Sequence, residues 1–332
     1  MELRSRVLRR GAAALLLLAL ALPACSKKDS TGVSLCDNEG YDLIVFSSDR
    51  GHTGQYDLYL FDAVQSGYRL LKDLNHATAS DSSPALSADG QLIAFVSARG
   101  ASGTDLYIYE RLSCGFVSTP GLNSPGSETD PTFTGNTRRL AFVRDTLGHR
   151  RIRLVNGGSI TYETLPGLDT LAAFDDWSPA PDQTGDRIAF VSNREGAPHI
   201  YLYERAGPSV DSLSALRVPG ARDFDPALTP DGHYLCFASD RPGGRGGFDL
   251  YLFDLTSQSF VELPGINTAR DERRPSVGRT CAYIAFQSDS SSSPGWDVRY
   301  YSRAAKIVAS PGQLAGTGND LHPSGLLPEP SQ

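Results

Sequence analysis

The chain has one methionine, two tryptophans and five cysteines in 332 residues, and no Cys-x-x-Cys pair. Cys36, Cys114, Cys236 and Cys281 stand far apart, which argues against a zinc site. The six histidines are scattered from His52 to His322, so neither a metal nor another cofactor is expected. No Gly-x-Ser-x-Gly occurs, which excludes the nucleophile elbow of an α/β-hydrolase. No apolar run reaches the roughly 20 residues that span a bilayer. No segment keeps a helical period with caps. Cations are also short: 31 Lys and Arg oppose 38 Asp and Glu, for a formal net charge of −7. Nucleic acid is therefore not an expected partner, since its binding rests on neutralising phosphates.

What is present begins with an export signal. Arg4, Arg6, Arg9 and Arg10 precede an unbroken Gly/Ala/Leu run over 11–22, too short to span and of the length of a secretory h-region. The run ends "LPAC", which resembles a bacterial lipobox, with Leu22 three residues before Cys25 and Ala24 just before it. This predicts a signal peptide over 1–24, lipidation of Cys25, and a tether over 25–40. Such an anchor holds a protein to a membrane without spanning it. Ser26, rather than Asp, after the cysteine points to the outer membrane by the sorting rule of enteric bacteria.

The rest of the chain is a repeat. "PALSADGQLIAFVSAR" at 84–99 returns as "PALTPDGHYLCFASDR" at 226–241. Its proline recurs at Pro84, Pro131, Pro179, Pro226, Pro275 and Pro323, at intervals of 47, 48, 47, 49 and 48. After each of the first five anchors comes a strand such as "IAFVSNR" and then one such as "DLYLFD"; a fourth ends in motifs such as "PGLN" at 120–123. Four short strands per 40–50-residue unit, split by Gly, Pro, Asn and Asp turns, read as a blade. The fold expected is an all-β six-bladed β-propeller over 41–327, with four-stranded antiparallel blades. The first unit starts at its second strand and the last proline is followed by only one. Residues 321–327 are thus expected to close the first blade as its inner strand, with "VSLC" at 33–36 as competitor and 328–332 as a disordered tail. In that ring Cys36 and Cys281 become neighbours and can pair, with Cys114 a rival for Cys36. Cys236 reads as a packed apolar residue.

An acid stands three residues before every anchor: Asp81, Glu128, Asp176, Asp223, Glu272 and Asp320. The second strand often ends in Ser-x-Arg, giving Arg50, Arg99, Arg194 and Arg241. Acid and arginine should meet on one face of the disc. Their regularity favours a scaffold role over a ligand-binding acidic ring, since a ligand rarely needs sixfold symmetry. The departures from the repeat on the same face, "RDTLGHRRIR", "DRPGGRGGFD" and "SDSSSSPGWD", nominate Arg150, Arg151, Phe248 and Trp296 for partner contact.

The pattern "PALTPDGHYLCFASDR…FDLYLFD" resembles the TolB-like β-propeller repeats of exported bacterial proteins, over about 41–327. Proteins similar to TolB carry an α/β domain before the propeller; residues 26–40 are too few for one, so the resemblance covers the propeller alone. The resemblance speaks to the fold; with the lipobox and the absent hydrolase motifs, the function expected is a non-enzymatic cell-envelope lipoprotein that presents a propeller face to a protein or glycan partner. The alternative is an envelope glycan hydrolase or lyase using carboxylates near the channel.

Overall fold

The structure is a computed structural model. It describes residues 43–326 apart from 64–65, 70, 101–102, 136–138, 157–159, 169–172, 291–294, 310–313 and 315–317. The expected signal, tether and tail, with Cys25 and Cys36, lie outside the described residues.

Among the described residues, 24 strands form six four-stranded sheets. The first blade holds β1 (Leu43–His52), β2 (Gln55–Asp62) and β3 (Gly67–Arg69). The second holds β4 (Asp81–Leu86), β5 (Leu92–Ser97), β6 (Asp105–Glu110) and β7 (Gly115–Phe116). The third holds β8 (Glu128–Phe133), β9 (Arg139–Thr146), β10 (His149–Asn156) and β11 (Thr161–Glu163). The fourth holds β12 (Asp176–Pro181), β13 (Arg187–Ser192), β14 (His199–Glu204) and β15 (Ser209–Asp211). The fifth holds β16 (Asp223–Leu228), β17 (Tyr234–Ser239), β18 (Asp249–Asp254) and β19 (Ser259–Val261). The sixth holds β20 (Glu272–Val277), β21 (Tyr283–Ser290), β22 (Gly295–Ser302) and β23 (Ile307–Ala309). The last strand, β24 (Asp320–Leu326), pairs antiparallel with β1, placing Ser324 opposite Val45 and Asp320 opposite Ser48. The ring closes as expected, which removes the open edge that a linear array would leave.

The second strand of each blade is apolar on both faces because neighbouring blades cover both. Phe46, Phe95, Phe142, Phe190, Phe237 and Phe286 occupy one equivalent position there and are at most 1% exposed. Each contributes roughly 2–3 kcal/mol by burial. The turns between first and second strands need a backbone that only glycine adopts freely, and Gly90 and Gly232 take φ of 67° and 68°.

The fourth strands are shorter than expected, at two or three residues, and "PGLN" lies beyond them. The reason is Asn123. Its amide leaves the sheet edge and clamps Leu106 of β6, accepting from the N–H at 2.9 Å and donating to the C=O at 3.0 Å. Asn75 and Asn267 hold Leu58 and Leu250 in the same way.

The expected Cys36–Cys281 pairing is corrected. Cys281 is a fully buried thiol, packed with Cys236 among the apolar side chains between blades five and six. Cys114 is disulfide-bonded.

Candidate functional site

The ring acids sit where the first strand begins, opposite the end of the second. In blade two, Asp81 faces Ser97 across the ladder, and Arg99 reaches back to both: Nε donates to Ser97 Oγ at 2.8 Å and Nη2 to Asp81 at 2.8 Å. The guanidinium also lies over Phe95, Tyr107 and Phe116 at 4.9–5.2 Å. Arg50–Asp320, Arg194–Asp176 and Arg241–Asp223 repeat the pair at 2.7, 2.9 and 3.1 Å. In blade three, Arg144 supplies the cation to Glu128 at 2.8 Å. Among the described residues no arginine pairs with the acid of blade six: Glu272 accepts from Thr268 Oγ1 at 2.6 Å and Ser288 Oγ at 3.2 Å. All six acids are at most 1% exposed. Burial raises the pKa of Asp223, Glu272 and Asp320, against the hydrogen bonds that favour their charged forms. They are enclosed ties between strands and loops, with no open face for a ligand.

The four contact candidates fare differently. Arg150 is accessible but engaged, pairing with Asp175 at 3.1 Å and lying 4.0 Å over Trp177. Arg151 is corrected: it is 2% exposed and donates to the Phe174 carbonyl at 2.6 Å, so it faces inward. Phe248 is partly buried, edge-on to Phe224 at 5.7 Å and beneath Arg273 at 4.6 Å. Trp296 is half-buried at the start of β22.

The large cavity lies at the opposite face. Every first strand breaks register between the acid and the strand's end. At the break, the residue before the anchoring proline is left-handed: Ser83, Asp130, Ser178, Asp225, Arg274 and His322, with φ of 48–54°. Left-handed backbone before proline is sterically disfavoured, yet all six copies hold it. These bulges set one residue per blade around the axis.

Arg274 of blade six crosses the axis. Its Nε lies 3.1 Å from Asp225 of blade five, and Nη1 lies 3.5 Å from Asp130 of blade three, diametrically opposite. Arg273 also reaches Asp225, at 2.8 Å. Burial works against the Asp225 carboxylate, but Arg274 and Arg273 outweigh it and hold its pKa below the usual range. His322 is pushed down to about 3, first by burial and then by Arg274, so its imidazole is neutral at pH 7.

The channel is thus blocked at this ring. What remains is a blind well of about 560 Å³, within the range of small-ligand sites. Its floor is the six bulge residues, its wall the six prolines with Leu86, Phe133, Leu228 and Val277. Its rim is the turns between first and second strands, including Ala88, Gly135, Gln183, Pro230 and Arg279. Sequence reasoning missed this site, because it sought function in irregular loops. The signal available was the variable residue before each invariant proline. Among the described residues no group of three or more His, Cys, Asp or Glu is arranged to hold a metal ion.

No family model matches this chain. A curated relative, "Protein TolB homolog" of Chlorobium luteolum, is 32% identical over 105 residues, which are 32% of this chain and 23% of that protein. The crystal structure of TolB from Acinetobacter baumannii superposes with a TM-score of 0.66 at 17% identity, over 85% of this chain and 66% of that one. The chain thus matches less than two thirds of either protein's length. An oligogalacturonate lyase in complex with manganese shares the fold at a TM-score of 0.55 and 12% identity, over 81% of this chain and 73% of that one. The chain is a six-bladed β-propeller similar in fold to TolB.

Proposed function

From a TolB-like β-propeller, we propose a non-catalytic binding protein of the bacterial cell envelope that holds its partner at the blind well. The carrying observation is the well itself, a preformed cavity with a polar floor and an apolar wall on a scaffold whose ring acids are all enclosed. The likeness to TolB favours the envelope and a binding or scaffold role, with a protein partner or an envelope glycan. The alternative of glycan cleavage by ring carboxylates loses support, because those carboxylates are buried in structural pairs. Of the carboxylates that line the well, Asp225 is held by two arginines. Among the described residues no helix is long and apolar enough to cross a membrane. The membrane link we propose is a lipid on Cys25, with placement at the outer membrane. Affinity purification of the lipidated chain from detergent-solubilised membranes tests the reading. A partner lost when Ala88→Trp narrows the rim supports it, and turnover of envelope glycans by the purified chain contradicts it.

A further inference from the structure

We propose that the well receives the end of a neutral oligosaccharide. This rests on the reading of the well as a binding site and specifies what enters it.

The charges at the floor are balanced: Arg274 lies between Asp130 and Asp225, Arg273 pairs with Asp225 from outside the well lining, and His322 is neutral. Ser83 and Ser178 complete the ring on either side of Asp130 in blade order. A ligand ammonium would meet Arg274, and a ligand carboxylate would meet Asp130 and Asp225. Either would add an unbalanced charge to an enclosed space, which is costly. The floor also mixes donors with acceptors. Arginine only donates and carboxylate only accepts, whereas serine hydroxyls and a neutral imidazole do both. The complement of such a ring is a group that donates and accepts around its whole edge, as sugar hydroxyls do.

The blind geometry decides between chain types. Arg274 lies across the axis, so a polymer enters only by its end. A free peptide end brings an ammonium or a carboxylate. The end of an uncharged glycan brings only hydroxyl or acetamido groups. The wall of prolines with Leu86, Phe133, Leu228 and Val277 suits the apolar C–H faces of a sugar ring.

Isothermal titration of the full chain with a charge series tests this. The neutral probes are triacetylchitotriose, cellotriose and maltotriose; the charged ones are deacetylated chitotriose and trigalacturonate. At least one neutral trimer should bind, at least tenfold more tightly than either charged trimer. Asp130→Asn leaves Arg273 and Arg274 with only Asp225 to balance them, so it should weaken the neutral trimer about tenfold and strengthen trigalacturonate. Ala88→Trp, on an exposed rim turn, should block the neutral trimer without lowering the melting temperature. Charged trimers binding as well as neutral ones, or no neutral trimer binding, would overturn the proposal. If no sugar binds but Ala88→Trp still releases an envelope protein, the glycan fails while the binding reading stands. If the rim substitution affects neither, both fail.

Discussion

Arg144 stands directly opposite Glu128 in the ladder between β8 and β9, and its Nε meets that carboxylate at 2.8 Å. The other paired blades use an arginine two residues later, anchored by the serine at this position. Blade three has therefore moved its cation two residues back while keeping the pair and its aromatic contacts with Phe142 and Tyr162.

This relocation is testable by exchange. Arg144→Ala leaves a buried carboxylate without its cation and should cost roughly 3 kcal/mol, the scale of breaking a buried pair. The double change Arg144→Ser with Thr146→Arg restores the arrangement of blade two and should recover most of that loss in urea unfolding. No recovery would mean that the position, and not the pair, matters.

The cysteines give a second expectation. Peptide mapping under non-reducing conditions should find Cys114 in a disulfide. Cys236 and Cys281 should react with a thiol reagent only after denaturation, because both are fully buried. A Cys36–Cys281 peptide would contradict the structure.

His322 makes stability depend on pH. Its folded pKa lies near 3, below the unfolded value of about 6.5, so the unfolded chain takes up the proton first. Its contribution is present above about pH 6.5 and is lost as pH falls toward 3. From pH 7 to 5 the loss is at most about 2 kcal/mol, and water in the well reduces it. His322→Asn, which tolerates left-handed backbone, should flatten this part of the stability curve. NMR should show the His322 ring still neutral at pH 5.

Legibility in the sequence followed physical redundancy. The period, the six acids and the closing strand were visible because each repeats a requirement that every blade shares. Second strands read plainly because apolar residues fill both faces. The well was not visible, since its floor is built by a backbone bulge whose occupants, Ser, Asp, Arg and His, share a conformation rather than a chemistry. Arg151 was misplaced for a simpler reason. A tight turn at Leu147 and Gly148, with φ of 56° and 80°, puts Arg150 and Arg151 on a strand, where neighbouring side chains alternate. Trp296 joined β22 because β21 and β22 pair out to Ser290 and Gly295.

The lipid anchor is checked by labelling cells with radioactive palmitate. Label should enter the protein and vanish in Cys25→Ser, with the chain then released from the membrane fraction. Persistence of label in that variant would remove the anchor from the account.

The most direct test of the well as the binding site is a paired capture. The wild-type chain and Ala88→Trp, matched for melting temperature, are each used to retain envelope protein and glycan, and the bound material is quantified. The account predicts at least a tenfold loss with the narrowed rim and no loss with Arg150→Ala on the opposite face. Equal capture by the rim variant, or loss only with Arg150→Ala, would contradict it.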